Sequence, residues 1–221
     1  MIMRGMRRPP KTNRKGRVFR MMNSKEIRYA IGKEYVEGTF ASENSDFVRE
    51  AFEEISRVNQ ELFNEIPFKV EFTEEDPYST AKEMRQSVLE TGVIKIFTIF
   101  GGHPFLNQEQ NNMGRAVHDV WAHLVCGCPF TFEGEYNAYL EQRKYYPQWT
   151  WKVLFAEIPA QTCAFYYMGT IHDKTNPLYT GVGSFDYNQR AIEAPQHWLD
   201  LCEPLQRDYS KNAIIKPFAL A

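Results

Sequence analysis

Histidine and cysteine are scarce in this 221-residue chain, which has five of the first and four of the second. Cys126, Cys128, Cys163 and Cys202 show no C-x-x-C spacing, and the first two sit in apolar sequence. Neither a zinc knuckle nor a disulfide framework is expected, and the four read as reduced thiols. No apolar run approaches the ~20 residues that a membrane-spanning helix needs. The positively charged start lacks the apolar stretch of a secretory signal. Together these absences point to a cytoplasmic protein. A glycine-rich phosphate loop is missing as well: "GVGSFD" at 181–186 is a lone match that reads as a turn.

Acidic residues are missing from positions 1–20, which carry eight Lys or Arg. Setting those eight aside leaves 18 basic against 28 acidic residues, so the rest of the chain carries about −10. The organisation expected is a basic arm over 1–22, without regular structure, and one globular domain over 23–221. Such an arm on an acidic body suits nucleic acid or an acidic partner. An apolar content of 43% and an aromatic content of 14% mark the remainder as a folded protein.

Periodicity organises that domain. Phe47, Ala51, Phe52, Ile55, Val58 and Leu62 recur at helical spacing over 44–64, capped by Asn44 or Ser45. "FKVEFT" (68–73) alternates as a strand, and "VIKIFTIF" (93–100) is a β-branched and aromatic run that reads as another. Ser79 or Thr80 caps a short helix between them. Helices are predicted from Asn107 to Val125, from Phe132 to Tyr145 before Pro147, over 149–168 with a break at Pro159, and from Tyr187 to Cys202. The 149–168 segment reads as fully buried, with Trp149, Trp151, Phe155, Phe165, Tyr166 and Tyr167 as core. The fold class is α+β, mainly helical, with a small sheet packed on the helical layer that carries the motif.

That motif is "RAVHDVWAH", residues 115–123. Residues five apart on an ideal helix lie ~140° from a common face. His118 and His123 therefore share a ligand only if the helix widens, as a π-bulge would allow. Otherwise one ring faces the core and the other is solvated. Asp119 follows His118 directly, where a metal site uses a proton acceptor. Glu157 in "VLFAEIPAQ" is a lone acid in apolar sequence, which must be neutralised, paired with Arg143, Lys144 or Lys152, or bound to a cation. Gln161 stands one turn later. Glu135 in "FEGEYNAYLEQ" is either a solvated residue or a fourth ligand or acid–base group. His103 in "GGHPFL" reads as a turn residue or a polar rim residue of the site. His172 reads as exposed, and His197 as packed on a helix face beside Trp198.

The run "RAVHDVWAH", then "FEGEYNAYLEQRKYYP", then "EIPAQ", resembles an uncharacterised family of bacteriophage and prophage proteins over residues 103–165. The elements that carry the resemblance are Arg115 to His123, then Gly134, Glu135 and Ala138, then Tyr146 and Pro147, and last Glu157 with Gln161. Ala122 departs from the glycine usual before the second histidine. At His118, Asp119, His123 and Glu157 alone, the sequence is also similar to zinc peptidases of the HExxxH type and to the aromatic amino acid hydroxylases.

The expected site is one divalent metal, zinc ahead of iron, on His118, His123 and Glu157, with Asp119 and Glu135 as catalytic groups. His103, Gln161 and Arg115 would contact substrate. The activity expected is metal-dependent hydrolysis of a peptide or amide bond, since a strand running straight into the motif helix is also the zincin layout, in which that strand holds extended substrate. The alternatives are an iron oxygenase with a 2-His-1-carboxylate triad and a non-enzymatic virion or host-interaction protein stapled by a His/Glu cluster.

Overall fold

The computed structural model describes residues 22–98, 102–171 and 189–214. The basic arm up to residue 21, the last residues of the second predicted strand, His172 and the 181–186 turn lie outside them.

Helix α1 (Ser24–Glu37) was not anticipated from the sequence, although Asn23 and Glu26 form a reciprocal capping box and Ile27, Ile31 and Tyr35 repeat every four residues on its buried face. It packs on α7 (Gln161–Ile171). Helix α2 (Asp46–Asn64) has the expected bounds, with the Ser45 hydroxyl as cap and the expected apolar stripe fully buried from Ala51 to Leu62, while Phe47 stays exposed. Each such Leu, Ile or Phe contributes roughly 1.5–3 kcal/mol on burial.

Strand β1 (Lys69–Thr73), α3 (Ala81–Thr91) and β2 (Val93–Phe97) form one parallel βαβ unit, with Val70 opposite Ile94 and Phe72 opposite Ile96. Thr80 caps α3, and Gly92 ends it in the left-handed region. The outer edge of β2 is already engaged. Its Lys95 N–H donates to the Tyr78 hydroxyl at 3.1 Å, and its Phe97 carbonyl accepts from Arg115 Nη1 at 3.0 Å. At those two positions no ladder remains for an extended peptide, which removes the main ground for expecting a zincin-like substrate strand.

Helix α4 (Gln108–His118) starts at a second capping box on Asn107 and packs on α2. It continues without interruption as a π-helical turn, Asp119–Val125. Helix α5 (Phe132–Gln142) tightens into a 3₁₀ turn at Arg143–Tyr145 before Pro147. The next segment is α6 (Trp151–Phe155), a second π-turn (Ala156–Ala160) and α7. Pro159 thus widens the helix where a break was expected, because a π-turn absorbs the missing N–H. Nor is this segment fully buried: Phe155 and Tyr167 are core, but Trp149 and Phe165 are exposed. Helix α8 (Gln196–Cys202) begins only after Pro195, later than expected.

The core runs through Ile31, Phe52, Trp121, Phe132, Tyr139 and Trp198. All four cysteines are free. No helix among the described residues is long and apolar enough to cross a membrane.

Candidate metal centre

The π-turn after α4 decides how the two histidines sit. An i to i+5 repeat brings the fifth residue nearly over the first, and His118 Nε2 lies 3.0 Å from His123 Nε2. The condition that the spacing imposed is therefore met by the backbone. Glu135, from the first turn of α5, completes the group: its Oε2 is 3.0 Å from His118 Nε2 and its Oε1 is 3.5 Å from His123 Nε2. One ligand atom from each of the three lies within 4.8 Å of the others, close enough to hold a metal ion.

Tautomers follow from the partners on the other ring nitrogens. His123 Nδ1 is 2.9 Å from the Cys128 carbonyl, and His118 Nδ1 is 3.0 Å from Gln142 Oε1. Both partners can only accept, so both Nδ1 atoms carry the proton and both Nε2 atoms present lone pairs. Two lone pairs do not rest 3.0 Å apart unless a proton or a cation lies between them. This donor set fits a divalent metal. Without one, a single proton on His118 Nε2, shared toward Glu135, satisfies the same geometry.

The electrostatics agree. Burial pulls the His123 imidazole down to about 4, against the opposing pull of Glu135. Burial also acts on His118, but Glu135, with Asp119 and Gln142 behind it, outweighs burial and holds His118 up at about 9. Burial pushes the Glu135 carboxyl up, and the two imidazoles more than reverse this, leaving it below its ordinary range. Glu135 is itself only 8% exposed, so the solvated alternative fails.

The supports were not legible in the motif. Gln142 is oriented by its Nε2 donating to the Tyr146 hydroxyl at 3.2 Å, which in turn donates to Asn59 Oδ1 at 2.5 Å. Arg85, from α3, donates to the carbonyls of His123 and Cys128. Gly127, with φ +73°, turns the chain so that the Cys128 carbonyl comes back to His123; a Cβ there would lie 2.6 Å from the Tyr209 carbonyl oxygen. Gly134 lets the start of α5 press against the Pro129 carbonyl, which sets the height of Glu135. Ala122 is buried against Cys128 and Ala138, so its methyl group is accommodated where glycine was expected.

The cluster opens on a cavity of ≈ 340 Å³ with apolar walls that include Phe52, Ile55, Ile96, Phe130 and Leu154. Arg115, Asp119, Glu157 and Gln161 also line it. Burial foremost raises the half-buried Asp119 carboxyl to about 6, with His118 opposing. Glu157, expected as the third ligand, is not one of the three grouped ligand residues. Its Oε1 accepts from Gln161 Nε2 at 3.4 Å, and its Oε2 stands 3.9 Å from His103 Nε2. The lysines and arginine considered for it are engaged elsewhere: Lys152 pairs with Glu193, Lys144 with Glu141, and Arg143 lies over the Trp151 ring. Burial raises Glu157 to about 7.

His103 has a buried side chain and does not line the cavity. Its Nδ1 accepts from the backbone N–H groups of Phe105 and Leu106 at 3.1 and 3.0 Å, the turn role, and burial lowers it to about 4. His197 is exposed and pairs with Glu34 at 2.8 Å.

Fold and site together define a mainly helical α+β protein with a buried His/His/Glu group able to hold a metal ion. No family model matches the chain, and no curated protein or solved structure shows significant similarity to it.

Proposed function

We propose that His118, His123 and Glu135 hold one divalent cation, zinc ahead of iron, and that the protein is a metal-dependent hydrolase of amide bonds in compact substrates. The observation that carries this is the pair of Nδ1 hydrogen bonds, which commits both imidazoles to present Nε2 lone pairs at the wall of a cavity. Three protein ligands beside open space are the pattern of a catalytic site, whereas structural zinc sites are closed by four. A divalent cation held there supplies Lewis acidity and brings the pKa of a bound water toward neutrality.

The remaining work falls to side chains of this chain. Asp119 follows His118 and lines the same cavity, where a carboxylate would serve as the proton acceptor. Gln142 and the Cys128 carbonyl keep both rings in the ligating tautomer. The apolar walls exclude water from the reacting bond. Compact substrates are preferred to extended peptides because the β2 edge is occupied by Tyr78 and Arg115. The same donor set supports an iron oxygenase as the second reading, because two histidines and one carboxylate also make a facial triad. The motif residues support a bacteriophage or prophage setting.

The test is elemental analysis of the purified full chain, followed by amide hydrolysis assays on wild type and Asp119→Asn. One zinc per chain and hydrolysis that falls at least about a hundredfold in the variant is the expected result. Stoichiometric iron with oxygen-dependent turnover would replace hydrolysis by the second reading, and no bound metal would end both.

A further inference from the structure

The metal cluster takes up only part of the cavity. Along α4 the lining residues are Asn111, Gly114, Arg115 and His118, one stripe at three-, four- and seven-residue spacing. Seven residues of helix put Asn111 about 10 Å from His118 along the axis. A second stripe, Glu157, Ile158, Gln161 and Thr162, comes from the second π-turn and α7.

Two polar atoms on these stripes are buried without a hydrogen-bond partner, Asn111 Nδ2 and Glu157 Oε2. Asn111 is only 5% exposed. Folded proteins rarely leave such groups unmet, because each loses its bonds to water and gains nothing in return. Their chemistry says what is missing. In its ionised form Glu157 Oε2 needs a donor, because the His103 Nε2–H that faces it stands 3.9 Å away, beyond hydrogen-bond reach. A second cation is not required, since Arg115, anchored on the Phe97 carbonyl, already places positive charge where Glu157 feels it. Asn111 Nδ2 needs an acceptor, and a side-chain amide pairs with another amide in either orientation. An amide group carries both complements, an uncharged N–H and a C=O.

We propose that Asn111 and Glu157 form an amide-recognition subsite, separate from the His118–His123–Glu135 cluster, which binds a second carboxamide of the substrate. Glu157 accepts from the amide N–H, and Asn111 donates to its carbonyl. This rests on the cavity being the substrate chamber of the proposed hydrolase. It narrows the substrate to a compact molecule with two amide groups, one at the metal ligands and one further along α4.

The test compares three probes on the full chain by ligand-observed NMR: butyramide, pentan-2-one (a methyl group in place of the amide NH₂) and butylammonium. It is run on chelator-stripped protein and on protein incubated with zinc. Butyramide is expected to bind about tenfold more tightly than pentan-2-one in both samples, and Glu157→Met to bring the two within about twofold. Asn111→Leu gives the same loss of preference from the other side and stands in if the first variant does not fold. Equal binding of amide and ketone, preference for butylammonium, or no binding of any probe would overturn the subsite. Failure to take up zinc would sink the metal reading alone, since the stripped sample reports on the subsite independently.

Discussion

His123 and His103 are both buried, both pushed down to about 4 by burial, and both bonded to the backbone through Nδ1. They are nevertheless opposite in chemistry. The Cys128 carbonyl forces a proton onto His123 Nδ1 and leaves a lone pair on Nε2. The amides of Phe105 and Leu106 force the lone pair onto His103 Nδ1 and the proton onto Nε2. One ring can bind a metal and the other can only donate. The two glutamates divide the same way: Glu135 lies between two imidazoles, while Glu157 faces an N–H at 3.9 Å and an amide at 3.4 Å. Residue type and burial are shared, so the local backbone, through the tautomer it imposes, separates a ligand set from a polar recognition surface.

The largest effect that could break this division comes from the ligands. His123→Ala and Glu135→Ala are expected to abolish stoichiometric zinc binding, read by elemental analysis after dialysis, while Glu157→Gln keeps one zinc per chain. Loss of metal in Glu157→Gln would move Glu157 into the ligand set and erase the contrast. Next is the amide that fixes the His118 ring. Gln142→Leu should weaken zinc 10–100-fold in a competition titration with a chromophoric chelator, the range for removing an outer hydrogen-bond partner. Tyr146→Phe, one link further out, should cost less.

Much of this was legible in the sequence, for identifiable reasons. The α2 stripe, the two strands, the caps at Ser45 and Thr80 and the start of a helix at Asn107 follow from local patterns that the structure keeps. Helix α1 carries equally local signals, a capping box and a four-residue repeat. The five-residue spacing of the histidines demanded a widened helix, and the π-turn supplies it. Which carboxylate joins the pair was not legible. Glu157 stands out because its neighbours in sequence are apolar, but ligation depends on neighbours in space. Glu135 sits among charged residues in sequence and is brought to the imidazoles by the close approach at Gly134. Gln142, Arg85 and Gly127 act through carbonyls and ring nitrogens, contacts that leave no spacing signature.

A smaller effect sharpens the other side of the comparison. Glu157 is raised from an ordinary 4.5 to about 7. A carboxyl with a raised folded pKa binds more protons folded than unfolded, so its contribution to stability is lost as pH rises between those values. The shift corresponds to up to about 3 kcal/mol, and about 2 is expected after allowing for partial access of solvent. Urea denaturation of chelator-stripped protein near pH 4.5 and near pH 8 should therefore show Glu157→Gln gaining about 2 kcal/mol on wild type at the higher pH relative to the lower. His103 titrates in the opposite sense, but it does so in both proteins and cancels in the difference. An unchanged difference would mean that Arg115 keeps Glu157 ionised in spite of its burial.

The smallest effect tests the tautomer itself. His103→Leu removes the acceptor of two backbone N–H groups, those of Phe105 and Leu106, which are half-buried and can recover part of the loss from solvent. An apolar side chain packs well against the Phe52 ring, 4.4 Å from the present imidazole between centroids, which offsets a further part. The net cost should be about 1 kcal/mol in urea denaturation. Zinc affinity should stay within about twofold of wild type, because a ring whose Nε2 carries the proton has no lone pair to give a metal. If zinc binding instead weakens as far as in Gln142→Leu, His103 must reach the cluster through Glu157. The metal group and the recognition surface would then be one hydrogen-bonded unit, with the tautomer of each ring set by the whole network and not by its nearest backbone partner.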